Sequence, residues 1–261
     1  MFSSSPFAEL AAFIPPSIMQ TYIVVMILFV VGGTLYDMVH KKSAKYFFNN
    51  WRNVKNKGAQ QVGGGKMVFL AIQTAVVEGL TSGEFCNVQR RIAHLLTVYG
   101  FLAYLITTAI MVFWYPTPAT PAPTFLPQLW YIGALVALVG GYWFWFFIRV
   151  DVAAEGNSPF RIVRADLFIL SLLASVTLGV IWAYLQAMDS SATNLFLGLY
   201  LIATTVLFGS VPWSKFSHMF YKPAVALQKR VEQANGSRRN LPDYADKPES
   251  FGSARQQPRH Y

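Results

Sequence analysis

Long uninterrupted apolar segments constrain this chain more than any other feature of its sequence. Only 13% of the residues are charged, about half the fraction typical of a soluble chain, and the apolar residues collect in five runs. At ~1.5 Å per residue, each run is long enough to cross, or nearly cross, a hydrocarbon core of ~30 Å as a helix. We therefore predict an all-α integral membrane five-helix bundle within residues 18–221, with spans at about 18–40, 92–115, 129–148, 167–187 and 194–211.

The basic residues predict the orientation of this bundle. All 21 lysines and arginines lie in four segments, which are 41–66, 90–91, 149–164 and 215–259. With five spans these segments share one side of the membrane, and lysine and arginine are enriched on the cytoplasmic side. We expect residues 1–17 outside, a tail at 222–261 in the cytoplasm, and a multi-pass protein of the bacterial cytoplasmic (inner) membrane. The net charge of +9 then follows from topology, so membrane lipid is an expected partner and nucleic acid is not.

The region between the first two predicted spans has a different composition. Residues 41–66 mix cations with Phe47, Phe48 and Trp51. Residues 67–84 begin with an apolar run of about eleven residues, which is too short to cross a membrane, and the run ends at Glu78. Aromatic and basic residues together are typical of segments that lie along lipid headgroups. We predict an interfacial helix at the cytoplasmic surface. At the other end of the chain, the tail from about Val231 has too little apolar content to fold alone.

Three histidines lie at the predicted cytoplasmic ends of spans, and His40, at the end of the first, is best explained as an imidazolium near a helix C-terminus. His94 stands at the start of the second span and His218 follows the fifth, so the topology places both at the same depth. An imidazole inside a membrane is costly to bury without a partner. Two imidazoles from separate helices are what a bis-histidine b-type haem needs. From the residues alone, a bis-histidine haem and two unrelated interfacial histidines are equally favoured.

Small and cationic residues near these histidines are compatible with a haem. Gly100 and Ser214 would leave space where the porphyrin meets the backbone, although small residues also serve plain helix packing. The haem propionates would pair with cations at the headgroup level. The cations placed for this are Arg90, Arg91 and Lys215.

Two short motifs resemble a known family of membrane cytochromes b. The segment Pro212–His218 is similar to the end of the last span in the gamma subunit of respiratory nitrate reductase and its relatives. The segment Arg90–His94 resembles the beginning of their second span. In that family a cytoplasmic-side haem takes one axial ligand from each of these positions, so the resemblance implies that His94 and His218 bind the haem iron.

The resemblance also implies the number of haems and the partners. Members with two haems carry further histidines about where Tyr104 and Tyr200 stand, so one haem b is implied. Among these relatives, the chain most resembles the membrane anchor of adenylylsulfate reductase, an enzyme of sulfur oxidation. The implied function is electron transfer between a cytoplasmic iron–sulfur flavoprotein and quinone in a respiratory complex. The single cysteine, Cys86, cannot hold an iron–sulfur cluster, so the clusters would belong to the partner.

Other function classes stay open. One is a haem-free structural anchor that tethers a cytoplasmic complex, and another is the cytochrome b subunit of a nitrate or heterodisulfide reductase-like complex. A transporter or channel is the weakest class, because we expect the spans to lack buried carboxylates or a paired set of broken helices. In the redox classes, four residues near the cytoplasmic boundary are candidates for binding a quinone head group, although such residues are more often solvated helix ends. They are Asp37, Tyr99, Arg164 and Asp166.

Overall fold

Every regular element in the described part of the chain is a helix, as predicted. The computed structural model describes residues 4–40, 42–57, 60–83, 87–149, 162–213 and 218–237, without the side chains of 43, 55–57, 165 and 218–221. The α-helices are α1 (Pro6–Glu9), α2 (Pro16–His40), α3 (Ser43–Lys57), α4 (Gly64–Thr74), α5 (Val88–Trp114), α6 (Phe125–Trp143), α7 (Leu167–Ala187), α8 (Thr193–Gly209) and α9 (His218–Asn235). Two π-helical segments extend α4 and α6, and they are Ala75–Leu80 and Phe144–Ile148.

Four described helices are long and apolar enough to cross a membrane. They are α2, α5, α6 with its π-helical extension, and α7. Each lies within a few residues of one of the first four predicted spans, which is consistent with a membrane protein. The fifth predicted span corresponds to α8, which is apolar but has only 17 residues. It ends at Gly209, before the short 3-10 turn Val211–Trp213 that contains Pro212.

The described helices form two compact units. The first, which we call the bundle, contains α1, α2 and α5 to α8. The second contains α3, α4 with its π-helical extension, and α9 from Phe220 onward. The spans therefore belong to one unit. Most of the predicted interfacial region, together with the chain from Phe220 onward, belongs to the other.

Within the bundle, α5 and α6 touch backbone to backbone. A Cβ atom added to Gly100 would lie 2.4 Å from the backbone nitrogen of Ala137. One added to Gly140 would lie 2.6 Å from the carbonyl oxygen of Ala93. Small residues permit this approach, which is a common way for membrane helices to gain dispersion contacts in the absence of a hydrophobic driving force.

The second unit has a small apolar core of its own. Val231 of α9 is 4% exposed and packs with Val54 and Leu70 from α3 and α4. The side-chain amide of Asn235 donates a hydrogen bond of 2.9 Å to the carbonyl oxygen of Val54. The segment from Val231 to Asn235 is therefore part of α9 and packs within this unit. The helices α3 and α4 supply the apolar surface that this segment lacks alone.

Candidate functional site

The two arginines and the histidine predicted for the haem site in the second span lie in the first two turns of α5. The side chain of Asn87 caps this helix by accepting a hydrogen bond of 3.3 Å from the backbone N–H of Arg90. Arg91 donates from Nε to the carbonyl oxygen of Thr81 at 2.7 Å. His94 is half-buried one turn further along. The cap thus fixes where two cations and the imidazole leave the helix.

The other half of the predicted haem site lies outside the described residues. This applies to Ser214, Lys215 and the side chain of His218. The axial pairing with His94, the haem, the quinone, and the iron–sulfur and flavin partners therefore stay predictions. Among the residues that the structure does describe, no group of three or more histidine, cysteine, aspartate or glutamate side chains is placed to hold a metal ion.

Gly100 lies in the interface between α5 and α6. A Cβ at this position would meet the carbonyl oxygen of Gly133 at 2.7 Å and the backbone of Ala137 at 2.4 Å. The space beside Gly100 is therefore occupied by α6. The sequence left two roles open for Gly100, which are space for a porphyrin and helix packing. The contacts show helix packing.

Tyr104 and Tyr200 meet in the centre of the bundle. Their hydroxyl groups are 3.0 Å apart, and the two residues are 1% and 6% exposed. A Cβ on Gly179 of α7 would lie 2.5 Å from the Tyr104 hydroxyl. The sequence singled out both positions, and the structure joins them as a hydrogen-bonded pair that needs a glycine beside it.

Large rings surround this tyrosine pair. Trp130 lies 5.0 Å from the Tyr104 ring, and Trp182 stacks on Tyr200 at 5.7 Å with an interplanar angle of 10°. Phe7 of α1 contacts Trp130 and Trp182, with centroid distances of 5.8 and 5.5 Å. Such ring pairs contribute beyond their buried area. The cluster connects α1, α5, α6, α7 and α8 and forms the core of the bundle.

A buried ion pair that the sequence analysis missed joins the end of α6 to the start of α7. Asp166 accepts hydrogen bonds from Nε of Arg149 at 3.1 Å and from its Nη2. It also accepts one of 2.9 Å from the backbone N–H of Val163. The Arg149 guanidinium lies 4.2 Å from the ring centre of Trp145. Opposite charges at the two ends of one connector are the sequence signal for this pair.

The four candidates for a quinone head group differ in burial. Asp37 is 2% exposed and Asp166 is 9% exposed, so neither is a solvated helix end. Tyr99 and Arg164 are exposed. Because Asp37 lies inside α2 and is buried, the expectation that the spans lack buried carboxylates is wrong.

Comparison with known proteins identifies a different family from the one expected. The family model described as Citrate utilization protein B matches residues 63–239. The Citrate utilization protein B of Escherichia coli is 25% identical in an alignment 201 residues long, which covers 71% of this chain and 51% of that protein. The chain thus spans about half the length of this curated relative. No solved structure matches.

This match overturns the resemblance drawn from the two short motifs. Neither a nitrate reductase gamma subunit nor an adenylylsulfate reductase anchor is found, so the expected role as a haem-dependent electron-transfer anchor in sulfur oxidation is wrong. The matched segment runs from just before α4 to just after α9, so it includes most of the bundle and part of the second unit. Because it covers more than half of the 261 residues, the chain belongs to the citrate utilization protein B family.

Proposed function

We propose that the protein acts in citrate utilization as a membrane-embedded component that anchors other parts of that system and does not itself transport citrate. Family membership supports the role in citrate utilization. Four helices that can span a membrane, together with a second compact unit, support the anchor role.

The charge distribution argues against transport by the bundle. Citrate is a tricarboxylate, and an anion inside a membrane needs a cation to offset its desolvation. Residues 1–40, 92–148 and 165–214 contain no lysine or arginine. Arg149, which is buried, is already bound to Asp166. Beyond Arg90 and Arg91 at the beginning of α5, the described spans therefore offer a citrate anion no lysine or arginine.

Deletion of the gene should distinguish an anchor in citrate utilization from a citrate transporter. We expect a deletion strain to lose growth on citrate but to keep growth on succinate, and its membrane vesicles to take up radiolabelled citrate at the wild-type rate. Complementation with the intact gene is the control for growth. Normal growth of the deletion strain on citrate would contradict the role in citrate utilization. Loss of citrate uptake would contradict the anchor role and indicate a transporter.

We further propose that α8 is the fifth span, with the N-terminus outside and the C-terminus in the cytoplasm. At ~1.5 Å per residue its 17 residues extend about 25 Å, at the short end of the ~17–25 residues used by membrane helices. Its contacts with other bundle helices support this. Tyr22 of α2 donates to the carbonyl oxygen of Leu201 at 3.0 Å, and Ser175 of α7 lies 2.7 Å from Thr204.

The helix α4 and its π-helical extension fit the proposed interfacial position. One side of this helix packs within the second unit through Leu70 and Thr74, which are buried. The opposite side presents Phe69 and Ile72, at 63% and 59% exposed, together with Val76 at 44%. A helix that is apolar on both sides needs a second apolar environment, and the bilayer surface provides one.

Labelling of single cysteines tests both parts of this topology. In a Cys86→Ser background, we expect a membrane-impermeant maleimide to label Thr120→Cys and Ser191→Cys in intact spheroplasts. Gln233→Cys should react only after lysis, because an odd number of spans separates it from the N-terminus. Labelling of Gln233→Cys in intact spheroplasts would contradict the five-span topology.

The same labelling tests the interfacial helix. After lysis, Lys66→Cys should react readily because Lys66 is exposed beside the apolar side of α4. Phe69→Cys and Ile72→Cys should react at least several-fold more slowly in membranes and gain reactivity in detergent, because the bilayer shields them. Equal reaction rates at all three positions in membranes would contradict the interfacial placement.

A further inference from the structure

An apolar cavity of about 500 Å³ lies within the bundle between α2, α5 and α8. Its walls are aliphatic and aromatic side chains, for example Ile23 of α2, Leu105 of α5 and Leu201 of α8. Phe7 and Leu10 from the N-terminal helices also line it. The volume lies within the ~300–1,000 Å³ of typical ligand sites, so the cavity is large enough for an extended molecule.

The cavity exists because α2 packs loosely. Only 17% of the apolar window of α2 is buried, against 33% for α5 and 39% for α6. In contrast, α5 and α6 approach so closely that Gly100 cannot carry a side chain. General looseness of the bundle therefore does not account for the gap beside α2.

The cavity opens toward the surface that faces lipid. Ile27 of α2 lines it and is 54% exposed. Leu102 and Ile106 of α5 also line it and are 45% and 56% exposed. These side chains continue the apolar exterior of two spans, so a hydrocarbon chain can enter from the bilayer without crossing a polar layer.

The polar side chains in the wall are already hydrogen-bonded. Tyr22 donates to a backbone carbonyl of α8 at 3.0 Å, and Thr204 donates to the carbonyl oxygen of Tyr200 at 2.8 Å. Thr108 donates to the carbonyl oxygen of Tyr104 at 2.8 Å, and the Tyr104 and Tyr200 hydroxyls bond each other. Water in a cavity needs ~2–4 polar partners. The wall therefore suits a ligand without hydrogen-bonding groups.

We propose that one acyl chain of a membrane phospholipid occupies this cavity and fills the gap between α2 and the rest of the bundle. An unfilled apolar gap deprives its walls of dispersion contacts, and the bilayer supplies hydrocarbon at this depth. The chain after residue 237 is rich in charged and polar residues, so it does not match an apolar wall.

The test is native mass spectrometry of the full chain purified in a mild detergent, with analysis of the retained lipid. Wild-type protein should carry one phospholipid. Ala109→Phe, which projects into the cavity from α5, should reduce the lipid-bound fraction at least several-fold. Ala174→Phe is the matched control, because Ala174 is exposed on α7 and does not line the cavity, and it should retain the lipid.

Three outcomes would overturn the proposal. They are wild-type protein free of phospholipid, equal retention by Ala109→Phe and Ala174→Phe, and a lipid-free dimer, which would make a second copy the occupant. If Ala109→Phe does not fold, the thermal stability of the wild-type protein tests the proposal instead. Added phospholipid should raise the Tm of delipidated protein by mass action, and an unchanged Tm would contradict the proposal.

Discussion

Replacing Asp166 with asparagine should lower the free energy of unfolding by about 3–5 kcal/mol, the range for breaking a buried ion pair from one side. The substitution keeps the shape of the side chain but removes the carboxylate that pairs with the Arg149 guanidinium. Arg149 is only 7% exposed. The pair also joins the end of the α6 extension to the start of α7, so both spans should lose support. Reversible unfolding in mixed micelles measures the change.

Asp189→Asn is the matched control for this prediction. Asp189 is exposed in the turn between α7 and α8 and has a positive φ of 48°, which asparagine also tolerates. We expect a change within about 0.5 kcal/mol. The double variant Arg149→Met with Asp166→Leu should recover most of the lost stability, because replacing both charges removes the desolvation penalty. A wild-type stability for Asp166→Asn would show that the pair is not buried in the membrane-bound protein.

Replacing Gly140 with valine should separate α5 from α6 and destabilise the bundle by about 3 kcal/mol or more, at the upper end of the ~1–3 kcal/mol typical of overpacking. A Cβ at this position would lie 2.6 Å from the backbone nitrogen of Thr97 and 2.6 Å from the carbonyl oxygen of Ala93. Neither atom belongs to a flexible side chain, so relief requires movement of a whole helix. Thermal unfolding followed by size-exclusion chromatography reports the loss.

Glycines elsewhere in the spans provide the control. Gly32 in α2 and Gly198 in α8 have no atom within 4 Å of an added Cβ. Gly32→Val and Gly198→Val should therefore leave the Tm close to that of the wild type, and removing a helical glycine favours the helix slightly. Equal losses at all three positions would mean that the contact between α5 and α6 does not set the effect.

The two motifs that suggested a cytochrome b illustrate how little a helix end reveals about function. Arg90–His94 and Pro212–His218 combine basic, aromatic and imidazole side chains at the boundary of a span. Any multi-span protein that obeys the positive-inside rule gathers such residues where its helices leave the membrane. The family match instead extends over residues 63–239, so it does not depend on one boundary.

The buried polar pairs show that a local sequence pattern does not reveal contacts between residues on different helices. Tyr104 and Tyr200 are 96 residues apart, and each sits in an apolar segment that is compatible with facing lipid, another helix or a cofactor. Asp166 looked like a solvated helix end because its partner precedes a connector and belongs to another helix. Burial of this kind depends on which helices become neighbours.

The sequence by itself determined the helical membrane class and four of the spans. The physical reason is local, since a backbone in hydrocarbon must satisfy its own hydrogen bonds within each apolar segment. Only the tertiary structure decided which faces meet, where α2 leaves a cavity, and how α9 finds a core in the second unit. Those outcomes arise from packing between segments far apart in the chain, where a single Cβ or hydroxyl group decides whether two helices fit.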